Sequence, residues 1–135
     1  MFANTPMHIN HPRCIHVDVI IDLNDKVKFI NTCDAMLHAR NAGETFGLSV
    51  LEFAAKNKQI IAYYDDSAQD AGSGSGCGQN HFTYLQNNVH KYSTSTELVC
   101  TLKSITRDSP FNTEYLVDQF SPTTVMRKFN EVFIK

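Results

Sequence analysis

The chain carries no surplus of positive charge. Its 12 Lys and Arg against 14 Asp and Glu leave a formal net charge of -2. That excludes a general nucleic-acid binder, which would show a basic excess, although a few local donors still suffice for a single nucleotide. It also lacks any C-x-x-C pair. Cys14, Cys33, Cys77 and Cys100 stand far apart, so neither a zinc ribbon nor a thioredoxin-type motif is written. They read as reduced thiols of a cytoplasmic protein. No apolar run reaches the 18 residues of a membrane span, so no transmembrane segment is expected. No basic stretch followed by an apolar core opens the chain, so no signal peptide is expected. The one glycine-rich stretch contains no G-K-[ST], so it is not a Walker phosphate loop. There are no internal repeats.

What the sequence does have is enough for one domain: 135 residues, 42% hydrophobic and 19% charged. Residues 1–13 are polar, hold two prolines and read as an N-terminal arm. His8 and His11 within it read as part of a polar arm rather than as a metal site. Residues 14–135 read as the folded domain. The β-branched CIHVDVII at 14–21 suggests a strand. Asp22 is placed to cap a helix over 23–32, with Leu23, Val27 and Ile30 on one face. Residues 35–39 suggest a strand, 46–57 a buried helix apolar on most sides, and 59–64 another strand. Strand, helix, strand, helix, strand predicts an α/β fold with a Rossmann-like parallel sheet.

A Gly/Ser-rich loop, 65–80, interrupts this pattern and reads as mobile surface or as a lid beside a ligand. After it come a helical turn from His81, a short strand at 89–92 and a helix over 96–106 capped by Thr94 or Ser95. A short helix at 114–120 follows. Ser121 and Pro122 then open a closing helix, 122–134, whose stripe of Val125, Met126, Phe129, Val132 and Phe133 needs a surface to pack on.

The chemistry-bearing segment is RNAGETFGLSVLEF, from Arg40 to Phe53. Glu44 stands in a polar turn after the strand at 35–39. Glu52 is the only charge in the apolar run from Phe46 to Ala55. In an open α/β sheet, ligands sit outside the carboxyl ends of the strands, which is where this turn falls. Gly43 and Gly47 remove side chains where a ligand would approach the backbone. Helical side chains lean toward the N-terminus, so Glu52 is expected to lean toward the crevice that Glu44 borders. A buried carboxylate without donors is costly. The diol of a ribose would satisfy it, and so would a nearby Arg, a Lys or the solvent.

The segment CDAMLHARNAGETFGLSVLEFAAKNKQIIAYY, Cys33 to Tyr64, resembles the C-terminal donor-binding domain of GT-B-fold glycosyltransferases, family 4 in particular. It has an apolar strand after an aspartate, then E-x-F-G-L, then a second glutamate in the E-x7-E spacing of retaining members. The closing helix SPTTVMRKFNEVF is similar as well. The resemblance covers about residues 14–106 and that helix. It implies that Glu44 contacts the hydroxyls of the transferred sugar. The backbone at Thr45, Phe46, Gly47 and Leu48 would face the sugar and diphosphate, and Glu52 would hold the ribose. His38 and Arg40 would add a sugar or phosphate contact. No metal and no cofactor is implied beyond the nucleotide-sugar itself, since such enzymes stabilise the leaving diphosphate with dipoles and basic side chains. An acceptor domain would come from a separate protein, or the chain would work as a homo-oligomer. The alternatives to an active transferase are a nucleotide-sugar-binding module and an inactive remnant.

Overall fold

A computed structural model describes residues 1–3, 9–40, 44–64, 80–106, 108–109 and 111–134. Gly43, His8, Cys77 and residues 65–79 of the Gly/Ser-rich loop lie outside the described residues. The chain divides into two compact units, Met1–Asp34 and Ala35–Lys135.

In the first unit, β1 (Phe2–Ala3) and β2 (His16–Val17) form a two-stranded parallel sheet. They are followed by α1 (Leu23–Thr32). Asp22 starts α1 as its sequence position suggests: the carboxylate accepts the backbone N–H of Asn24 at 2.8 Å and of Asp25 at 3.0 Å. The strand expected over 14–21 is reduced to two residues, and it pairs with Phe2–Ala3 rather than joining the main sheet. β-branching favours a pleated surface only where a neighbour exists to pack on. Val19 and Ile21 have none of that burial, being 58% and 85% exposed. Only Ile30 of the three residues expected on the apolar face of α1 is buried.

The second unit holds a three-stranded parallel sheet in the order β3 (Ala35–His38), β4 (Gln59–Tyr63), β5 (His90–Tyr92). Ala35 pairs with Gln59 and His38 with Ala62. Ile61 pairs with His90 and Tyr63 with Tyr92. After Gln59 the central strand β4 is apolar; Ile60, Ile61 and Ala62 are buried, as befits a strand covered on both faces. Helix α2 (Leu48–Ala54) packs on β3 and β4, and α4 (Ser95–Ser104) packs on β5. Between β4 and β5 lies α3 (His81–Leu85). The chain closes with α5 (Tyr115–Gln119) and α6 (Pro122–Phe133). The core joins Val50, Ala54, Ile60, Ala62, Tyr84, Leu85 and Leu116. The result is an α/β unit with helices flanking a parallel sheet, compatible with a Rossmann-like arrangement.

Helix α2 is shorter than its apolar pattern predicts, and both ends have a cause. Gly47 sits at φ 78, outside the helical region, so the helix opens only at Leu48. At the other end Lys58 N–H bonds Phe53 O and Asn57 N–H bonds Ala54 O. With Asn57 at φ 52 this is a Schellman closure. The helix is not buried on most sides either. Val50 and Ala54 are buried one turn apart, while Leu48 is 70% exposed.

Candidate functional site

Glu44 is held at the carboxyl end of β3. Strand pairing fixes the backbone of His38, the last residue of that strand, and its ring is buried at 6% exposure. Its Nε2 lies 3.3 Å from Glu44 Oε1, and the Arg40 guanidinium donates to the same oxygen at 3.0 Å. Burial alone would raise the pKa of Glu44. The hydrogen bonds from His38 and Arg40, with their positive potential, outweigh it and hold the carboxyl below the usual carboxylate range. Glu44 is therefore an ionised acceptor at neutral pH.

The turn after Glu44 is braced from one side by α3. Tyr84 donates its hydroxyl to Phe46 O at 2.7 Å, with Gly47 O at 3.2 Å from the same oxygen. Asn80 donates its side-chain amide to Thr45 O at 3.0 Å. Burial, with the charge of Glu44 behind it, pushes the Tyr84 hydroxyl up to about 12, so it remains a donor across the physiological range. A Cβ at Gly47 would stand 3.2 Å from Tyr84 Oη and 3.5 Å from the Cβ atoms of Glu44 and His81. The bare backbone there is what lets β3, the turn and α3 converge. Phe46, Tyr84 and Phe120 close the base of the turn, with ring centroids 5.5 to 5.7 Å apart.

His81 is 1% exposed and packs its ring 5.1 Å from that of His38 and 4.2 Å from that of Phe82. Both of its ring nitrogens, and Nδ1 of His38, are buried without a hydrogen-bond partner among the described residues. Burial, and then positive charge on His38, lower the pKa of His81 to about 4, against a smaller opposing pull from Glu44. His81 is thus a neutral imidazole at pH 7. Buried polar atoms without partners cost about 1–3 kcal/mol each, so these imidazoles beside an ionised carboxylate make this end of the sheet unlike the apolar core.

The structure therefore brings His38, Arg40, Glu44, Thr45, Phe46 and Gly47 into one locality. Leu48 and Glu52 follow on α2. Leu48 is exposed; Glu52 is half-buried and is not an isolated charge. The sequence reading missed Asn80, His81 and Tyr84. The available signal was His81, Tyr84 and Leu85 at i, i+3 and i+4, one face of a helical turn directly after the Gly/Ser-rich loop. Among the described residues no group of three or more His, Cys, Asp or Glu is placed to hold a metal ion. No helix there is long and apolar enough to cross a membrane. Comparison with family models, curated proteins and solved structures found no match for this chain.

Proposed function

We propose that the turn from Arg40 to Leu48 is the donor site of a GT-B-like, retaining glycosyltransferase, with a nucleotide-sugar as its substrate. The observation that carries this reading is Glu44. It is an ionised, hydrogen-bond-oriented acceptor at the carboxyl end of a parallel strand, in the first position of the E-x7-E pattern. Ligands of open α/β sheets bind at such strand ends, and sugar hydroxyls are donors matched to a carboxylate. In this reading Glu44 takes a hydroxyl of the sugar and Glu52 takes the ribose. Arg40, 54% exposed at its side chain, is the cation nearest to Glu44 for the diphosphate. Within the turn, the carbonyls of Thr45, Phe46 and Gly47 are held by Asn80 and Tyr84, so the backbone at 45–47 is ordered before a ligand arrives. Preorganisation of this kind lowers the ordering cost of binding.

A second reading is favoured by one observation. Val125, Met126, Phe129, Val132 and Phe133 of α6 are between 46% and 71% exposed. A binding module that works only with a separate acceptor-binding partner, or with another copy of itself, would present such a face.

Thermal unfolding against a panel of UDP-, GDP- and ADP-sugars tests the shared premise. A ligand that binds only the folded chain at 100 times its dissociation constant adds roughly 2.7 kcal/mol of stability. A stabilising shift with one nucleotide class, absent in Glu52→Ala and reduced in Glu44→Ala to that given by the nucleoside diphosphate, is the expected result. No shift with any donor removes the site and leaves the remnant alternative. Sugar transfer by the isolated chain would favour the enzyme, and binding without turnover the module.

A further inference from the structure

We propose that His38 is a positioning residue for Glu44: with Arg40 it ties down Oε1 and leaves Oε2 as the oxygen offered to a ligand hydroxyl. This rests on the reading of Glu44 as the sugar contact. Both polar contacts of the carboxylate among the described residues fall on one oxygen, Oε1. A carboxylate only accepts, so the His38 Nε2 that faces it carries the hydrogen. The other ring nitrogen of His38, Nδ1, is buried without a partner among the described residues, so the ring's one polar contact there is with Glu44.

The two donors do not hold Glu44 equally. The Arg40 side chain is 54% exposed on a flexible stem, and exposed ion pairs contribute at most about 1 kcal/mol. His38 is anchored by strand pairing with Ala62 and by the His81 ring against it. His81 stays neutral near pH 7 and so does not compete for the carboxylate as a second cation. The groups that surround Glu44 are then His38 from β3, Arg40 from the turn, and His81 and Tyr84 from α3. Of these, His38 is the buried donor with a fixed direction. It converts a carboxylate able to rotate into one with a defined free lone pair.

The test compares His38→Gln, His38→Asn and His38→Ala in the full chain. A glutamine amide reaches the place of Nε2; an asparagine amide reaches only that of Nδ1. The first readout needs no ligand: the carboxyl carbon of Glu44 is titrated by NMR. We expect its titration to move up toward the ordinary carboxylate range in His38→Asn and His38→Ala and to stay depressed in His38→Gln. The second readout is affinity for the nucleotide-sugar that stabilises the wild type. Loss of orientation should weaken it about tenfold in His38→Asn and His38→Ala. The affinity for the matching nucleoside diphosphate should be unchanged, and His38→Gln should recover the sugar-dependent part. An unmoved Glu44 titration in His38→Asn overturns the proposal, and so does equal weakening of diphosphate and sugar-diphosphate. If no nucleotide-sugar binds the wild type, the donor-site reading fails by itself, while the titration still decides whether His38 governs Glu44.

Discussion

Gly47 carries the sharpest constraint on a single residue. Its φ of 78 is open to glycine and strained for other residues. An added methyl would press on the Tyr84 hydroxyl that holds Phe46 O and Gly47 O. Gly47→Ala should cost about 1–2 kcal/mol from backbone strain alone, read as a lower denaturant midpoint. An unchanged midpoint would mean that the turn relaxes without cost. His81 sets a pH dependence whose sign is fixed by its lowered pKa. The unfolded chain takes up a proton near 6.5 and the folded one only near 4. Stability is therefore full above pH 6.5 and is lost as the pH falls toward 4, by about 3 kcal/mol if the whole difference is expressed. Glu44, depressed as well, adds a loss in the same direction at lower pH. Unfolding free energy measured from pH 7.5 to 4.5 should fall in the wild type and fall less in His81→Phe. Parallel curves for the two would assign the acid loss elsewhere.

Gln59 shows how side chains join the elements. Its amide donates to Thr106 O at 2.7 Å, and its carbonyl oxygen lies 3.0 Å from His90 Nε2. One buried residue at the start of β4 thus ties the segment that follows α4 to β5. Gln59→Leu would leave a carbonyl and an imidazole unpaired in a half-buried place. It should destabilise the chain by about 2 kcal/mol, measured by urea unfolding; a neutral result would show that water replaces both bonds. At this scale the sequence is most legible where a local rule acts alone. The Asp22, Thr94 and Ser121 caps each accept a backbone N–H of the first turn, and at Thr94 the Glu97 carboxylate completes a capping box. The three strands of the main sheet appear within a residue or two of their apolar runs. Periodicity failed for β2 and for the first turn of α2. Pairing for β2 depends on which edge is available, which no local pattern records. The start of α2 depends on the backbone angle that Gly47 adopts under Tyr84. The site divides in the same way. Glu44, Arg40 and His38 could be read from spacing along one strand and turn. His81 and Tyr84 arrive from 37 or more residues downstream of Glu44, through the pairing of β4 with β3 and the return of α3 over the turn.

For the whole molecule, the described structure places its polar, partly unsatisfied interior at one end of the main sheet and its unpacked apolar surface on α6. The first is the proposed place for a small hydroxylated ligand. The second is the feature by which the binding-module reading would be recognised, and it predicts concentration-dependent association with a partner rather than turnover. Both readings require that Glu44 meet the sugar and Glu52 the nucleoside. The most direct measurement is therefore calorimetric binding of a nucleotide-sugar and of its nucleoside diphosphate to the wild type, Glu44→Gln and Glu52→Ala. The wild type should prefer the sugar-bearing ligand, Glu44→Gln should lose that preference while keeping the diphosphate, and Glu52→Ala should weaken both by similar factors. A Glu44→Gln chain that binds both ligands as the wild type does, or a wild type that binds neither, would contradict the donor-site reading.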